Sequence, residues 1–170
     1  RAPLGPGFLI IGMESKEHTK ILWLDAEEII MAMRDQSAEW LLDPISGRLC
    51  LDPHESHEWF DEEEVEAWRP SDPKQQLPLP FFTSSDGFRL MESFALDKAS
   101  SEAREILQAA LALRKPFRQF KDALCEFADD RRRWFEFEAD AMKRVAENFY
   151  AAEGYTVRWI ESPADPKGLL

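Results

Sequence analysis

The sequence predicts an α+β fold, a small sheet followed by a helical second half. Three observations carry this. Short apolar runs broken by turn residues fill residues 20–52, helical spacing of apolar residues runs from about residue 84 to Glu153, and a proline-rich stretch separates the two. With 170 residues, 44% hydrophobic and 12% aromatic, the chain has ample material for a packed core.

In chain order, RAPLGPGFLIIG carries one charge and a short apolar run broken by glycine and proline, unlike the apolar stretch of a signal peptide. Met13-Glu-Ser-Lys-Glu-His18 reads like a natural start, so residues 1–12 are expected to be an added leader and residues 1–19 to lie outside the fold. Lys20-Ile-Leu-Trp-Leu24 suits a buried strand. Asp25 then stands as N-cap with Glu28 at N3, opening a helix to about Arg34 with Ile29, Ile30 and Met33 on one face. Glu39-Trp-Leu-Leu-Asp43 and Arg48-Leu-Cys-Leu-Asp52 flank the turn Pro44-Ile-Ser-Gly47 as a β-hairpin. Residues 20–52 thus read β-α-β-β and should form one small mixed or antiparallel sheet.

Residues 52–66 hold eight carboxylates, two histidines and no Lys or Arg; repulsion between like charges means any helix there must be held by packing through Trp59, Phe60 and Val65. Four prolines from Pro70 to Pro80 mark a connector ending on Leu77-Pro-Leu-Pro-Phe-Phe82, apolar enough to be pinned to a surface. Phe88, Met91, Phe94 and Ala95 define the next helix. Ile106, Leu107, Ala110, Leu111 and Leu113 follow behind Ser100 or Ser101 as N-cap. Pro116 takes a first-turn position, and Phe117, Phe120, Leu124 and Phe127 form a stripe behind it. A last long helix spans Arg131–Glu153 with Phe135, Met142, Val145, Ala146 and Phe149 inward, stopped by Gly154. Tyr155-Thr-Val-Arg-Trp-Ile-Glu161 has strand composition and can return to the N-terminal sheet. The expected organisation is one domain over residues 20–161: a β-rich acidic part at 20–69, a connector at 70–82 and a helical part at 83–161, with a tail at 162–170.

Net charge is −12, and it is uneven. Residues 1–100 hold 9 Lys and Arg against 20 Asp and Glu, whereas residues 101–150 hold 10 against 10. The first half is therefore a poor surface for nucleic acid or anionic membrane, and the helical half can carry a local basic patch. No apolar run approaches the roughly 20 residues that span a bilayer, so no membrane partner is expected. Cys50 and Cys125 each lie in an apolar stretch without a Cys or His neighbour at metal spacing, and are expected as two buried free thiols in a reducing cytosol.

Motifs for chemistry are sparse. His54-Glu-Ser-His57-Glu58 lacks the His-Glu-x-x-His spacing that seats two imidazoles on one metal with a glutamate base between them. His54, His57, Glu58 and Asp61 remain weak metal candidates, and a metal-dependent hydrolase built on them is the third functional reading. The carboxylate pairs Glu62/Glu66 and Glu136/Asp140 lack the burial that would separate their pKa values. There is no Gly-x-Ser-x-Gly nucleophile turn and no glycine-rich phosphate loop. No cofactor and no catalytic residue are assigned, and an enzyme is the lesser reading.

The basic groups hold more promise. Arg114, Lys115, Arg118 and Lys121 cluster at one predicted helix start, and Arg131, Arg132 and Arg133 open the next. Cations there oppose the helix dipole by a few tenths of a kcal/mol each, roughly, unless they serve an anionic partner. Against this stands ordinary surface pairing, such as Arg118 with Asp122 and Arg132 with Glu136. Aromatics interleaved with bases in KPFRQFK also suit single-stranded nucleic acid, though the phenylalanines serve equally as core.

Pro116-Phe-Arg-Gln-Phe-Lys-Asp122, with Phe94, the helix Ala103–Leu113 and Trp134-Phe135-Glu136-Phe137 leading into Asn148-Phe-Tyr150, resembles a small bacterial uncharacterised family, UPF0158. Gln119 stands where the family pattern has a second basic residue. The resemblance covers about residues 20–155 and implies the architecture above; it implies no activity, cofactor or site. The expected function is a cytosolic bacterial non-enzymatic interaction or regulatory protein whose partner is another protein. The second reading is nucleic-acid binding through residues 114–133, which the net charge disfavours. Composition leaves the oligomeric state open.

Overall fold

A computed structural model describes residues 20–35, 39–51, 72 and 74–160. The fold is α+β, in the order β1 (Lys20–Asp25), α1 (Ala26–Arg34), β2 (Trp40–Leu42), β3 (Leu49–Leu51), β4 (Leu77–Pro78), α2 (Ser84–Asp97), α3 (Ser101–Leu111), α4 (Pro116–Leu124), α5 (Ala128–Ala152) and β5 (Tyr155–Ile160).

The strands form two sheets where one was expected. β1 pairs in parallel with β5, Leu22 opposite Val157 and Leu24 opposite Trp159. Both strands alternate: Leu22 and Leu24 face the core with Tyr155, Val157 and Trp159, while Ile21, Trp23, Thr156 and Arg158 face outward. The hairpin β2–β3 gains β4 on its other edge, giving the order β3-β2-β4. The separation follows from the chain path. Asp25 ends β1 and already caps α1, accepting from the Glu27 and Glu28 amides at 2.9 and 3.1 Å. The chain therefore leaves β1 as a helix, and the strand that fills its edge comes from beyond α5. The hairpin meets β1 at Gly47, whose φ is +73° and where a Cβ would collide with the Trp23 carbonyl. The connector was expected to carry no element, yet its Leu77–Pro78 forms β4; proline is tolerated there because β4 is an edge.

Helix α5, 25 residues long, is the spine. Its C-terminal half packs on the strands and α1 through Met142, Ala146 and Tyr150, against Leu22, Leu24 and Ile29. The Tyr150 hydroxyl donates to the Pro78 carbonyl at 3.3 Å, and its burial pushes its pKa well above the ordinary tyrosine value. Its N-terminal half packs on α2, α3 and α4 through Trp134, which meets Phe94 and Phe120 edge-on at 5.3 and 5.0 Å.

Ser100 caps α3, Pro116 stands at the first turn of α4, and Gly154 closes α5 at φ +84°. Four expectations change. Helix α5 starts at Ala128 rather than Arg131, because Asp129 and Asp130 take the first turn, where the dipole favours carboxylates. Phe135, expected inward, is 51% exposed, and its neighbour Trp134 takes the core position. Cys125 is exposed just after α4, so only Cys50 is a buried thiol. Ile106 and Leu113 are exposed as well.

Candidate functional site

A cleft of about 480 Å³ opens where the two packed clusters meet. Helix α1 contributes Met33 and Arg34, and the segment entering α2 contributes Phe82, Thr83, Ser84 and Gly87. Helix α4 adds Phe117, Lys121 and Leu124, with Cys125 just beyond it, and α5 adds Arg131, Trp134, Phe135, Glu138 and Met142. Met91 of α2 completes the floor. The floor is apolar and nearly sealed from solvent: Met33, Met91, Leu124, Trp134 and Met142 are all buried.

Local structure fixes the walls. Thr83 and Asp86 form a reciprocal capping box at the start of α2, with the Thr83 amide and hydroxyl donating to Asp86 at 2.9 and 2.6 Å and the Asp86 amide donating back at 3.0 Å. Those bonds hold the Asp86 carboxyl below its ordinary pKa. Gly87 lets the Phe117 ring lie close, since a Cβ there would stand 3.1 Å from it. Arg34 crosses to Glu138 at 2.6 Å and ties α1 to α5 along the cleft.

Among the described residues, three cations, Arg34, Lys121 and Arg131, thus face a single carboxylate, Glu138, in a chain that is acidic overall. Arg34 is held by Glu138. Arg131 lies over the Phe135 ring at 5.9 Å, and neither Arg131 nor Lys121 forms an ion pair among the described residues.

The basic cluster read from the sequence is therefore divided. Lys121 and Arg131 come together in the cleft. Arg114 and Lys115 are exposed outside its lining, Lys115 as the left-handed N-cap of α4 at φ +60°. Arg118 pairs with Asp122 at 3.6 Å on the open surface. Arg132 turns back to Asp129 at 3.1 Å rather than forward to Glu136. Arg133 pairs with buried Asp130 at 2.6 Å and donates to the Lys98 carbonyl at 3.3 Å, a structural duty. His54, His57, Glu58 and Asp61 lie outside the described residues. Among the described residues no group of three or more His, Cys, Asp or Glu is placed to hold a metal ion, and no helix is long and apolar enough to cross a membrane. Sequence reasoning missed Arg34 and Glu138, which stand 104 residues apart, and no local pattern could have joined them.

An α+β domain with one long helix shared by two cores, and a cation-rimmed cleft between them, is the class of protein that fold and site define. The chain belongs to the family described as Uncharacterised protein family (UPF0158), which it matches over residues 20–156. It is similar to the UPF0158 protein PA5073 of Pseudomonas aeruginosa, 24% identical over 123 residues, which is 72% of this chain and 78% of that one. No solved structure matches.

Proposed function

We propose that this chain is a non-enzymatic interaction or regulatory protein of the bacterial cytosol, holding a partner protein on the face shared by α4 and the start of α5. One observation carries the reading. Lys121 and Arg131 stand without ion pairs, among the described residues, over an apolar floor. Cations left unpaired beside exposed Phe135 suit an acidic protein surface with an apolar centre, the usual anatomy of a specific interface.

Nucleic acid is the weaker reading. Phe120 is buried and Phe117 packs half-buried against the α2–α4 core, so the aromatics of KPFRQFK do not offer a stacking platform. Of the seven bases expected to form the face, five are set against carboxylates or lie outside the cleft lining, which disperses a phosphate-tracking stripe.

The test is affinity purification from the native host of the wild type and of the Lys121→Glu/Arg131→Glu variant, each with and without nuclease. A partner retained by the wild type, indifferent to nuclease and lost from the variant supports the reading. A partner held equally by both proteins removes this face from consideration, and loss on nuclease treatment transfers the function to nucleic acid.

A further inference from the structure

Resting on that reading, we infer that the cleft receives an acidic amphipathic helix of the partner, its apolar side on the methionine-lined floor and its carboxylates against Lys121 and Arg131. The floor gives the first argument. Met33, Met91 and Met142 arrive from three different helices, and they are three of the five methionines in the chain. Methionine is unbranched and polarisable, so such a floor adapts to apolar side chains of varied shape. Phe117 and Phe135 stand above it as partly exposed walls.

Backbone chemistry then selects the form of the occupant. The long walls of the cleft are helices α1, α2, α4 and α5, whose amides and carbonyls are spent on their own hydrogen bonds. A strand added to the cleft would find no edge to pair with among the described lining residues, whereas a helix satisfies its own backbone and needs only a groove for side chains at i, i+3, i+4 and i+7. Charge selects its sign. The net charge of −12 repels an acidic partner at a distance, but screening at physiological salt confines that field to about 8 Å. At contact Lys121 and Arg131, which form no ion pair among the described residues, decide.

The experiment follows methionine methyl signals in the full chain labelled at those methyls. The probe is a synthetic peptide of about four helical turns, with leucine or phenylalanine at i, i+3, i+4 and i+7 and glutamate on the other face. Its scrambled counterpart and a short oligo-dT strand serve as comparisons. Saturable shifts of Met33, Met91 and Met142, with Met31, 65% exposed on the far side of α1, unmoved, are expected from the helical peptide and not from the scramble. Lys121→Glu/Arg131→Glu, both at exposed positions, should raise the Kd about tenfold or more. Equal binding of the scramble, or silent Met91 and Met142 signals, overturns the helix. In either case the partner-purification experiment still decides the broader reading independently. Shifts produced by the oligonucleotide, with steep loss on adding salt, overturn the protein occupant.

Discussion

Asp130 and Arg133 meet at 2.6 Å one turn apart on α5, and this pair fastens three helices together. The Asp130 side chain is buried, and it also accepts the Ser100 amide at 2.8 Å and the Ser100 hydroxyl at 2.7 Å. Ser100 in turn caps α3, and Arg133 reaches the Lys98 carbonyl at the end of α2. The junction of α2 and α3 is thereby locked onto α5.

Asp130→Ala should therefore be costly. It strips an ionised acceptor from the Ser100 amide and the Arg133 guanidinium together, and hydrogen bonds to charged groups contribute about 1.5–3 kcal/mol. A loss of about 3 kcal/mol, or a Tm lower by roughly 6–12 °C, is expected in thermal unfolding. Arg133→Ala should cost about 1 kcal/mol, because its head is 45% exposed and water replaces part of the contact. Arg118→Ala and Arg132→Ala, whose pairs lie on the open surface, should stay within about 0.5 kcal/mol of the wild type. Equal effects from all four would mean that Asp130 has no special role.

Gly47→Ala tests the contact between the two sheets. The residue needs a left-handed backbone, which costs a side-chain-bearing residue about 1–2 kcal/mol, and its Cβ would strike the Trp23 backbone carbonyl. Gly154 supplies the control: it has the same kind of φ, +84°, with nothing within 4 Å of a Cβ. Gly154→Ala should show the conformational cost alone. Gly47→Ala should exceed it by at least about 1 kcal/mol in denaturant unfolding, as overpacking does elsewhere. Matching losses would place the hairpin turn away from β1.

How far the sequence spoke depended on the range of each signal. Asp25, Ser100, Pro116 and Gly154 act on neighbours within one turn, and all four helix boundaries were legible from them. The α5 face was legible only in part. Of the predicted inward residues, Met142 and Ala146 are buried and Val145 and Phe149 pack against the same core, but the helix serves two cores, so its apolar side rotates along its length and puts Trp134 inward in place of Phe135. The expected return of the C-terminal strand holds, with Lys20 of β1 opposite Tyr155 of β5, but the hairpin β2–β3 stands in a separate sheet with β4, so two sheets replace one. The candidate cleft was half legible. KPFRQFKD drew the eye to Lys121, but Arg34, Phe82 and Glu138 reach that place through tertiary packing, and the sequence near each says nothing of the others.

The Asp86 cap makes a prediction in pH. Its bonds to Thr83 hold the folded carboxyl below its ordinary pKa, so the folded state sheds this proton more readily than the unfolded chain. That contribution to stability is fully present above the unfolded value of about 4 and fades as pH falls through the lower folded one. The Tm difference between wild type and Asp86→Asn should be constant near neutral pH and shrink below about pH 4. A difference that persists unchanged in stronger acid would assign the cap to hydrogen bonding that ionisation does not alter.

The two cysteines should separate cleanly by reactivity. Cys50 lies on β3 at 2% exposure; burial, reinforced by the negative charge of Asp43, pushes its thiol pKa up, so both access and thiolate fraction are low. Cys125 is exposed at the lip of the cleft, just past the end of α4. A thiol-specific chromogenic disulfide should therefore consume one thiol rapidly in the native protein and the second only on unfolding. Cys125→Ser should abolish the rapid phase, and Cys50→Ser should leave it intact. Two fast thiols would show that β3 opens readily, and with it the hairpin that meets β1 at Gly47. The same thiol gives access to the cleft: a bulky maleimide on Cys125 would stand beside Lys121 and Leu124 and should weaken binding of the acidic helical peptide. A peptide that binds the labelled protein as tightly as the unlabelled one must be seated somewhere other than over that floor.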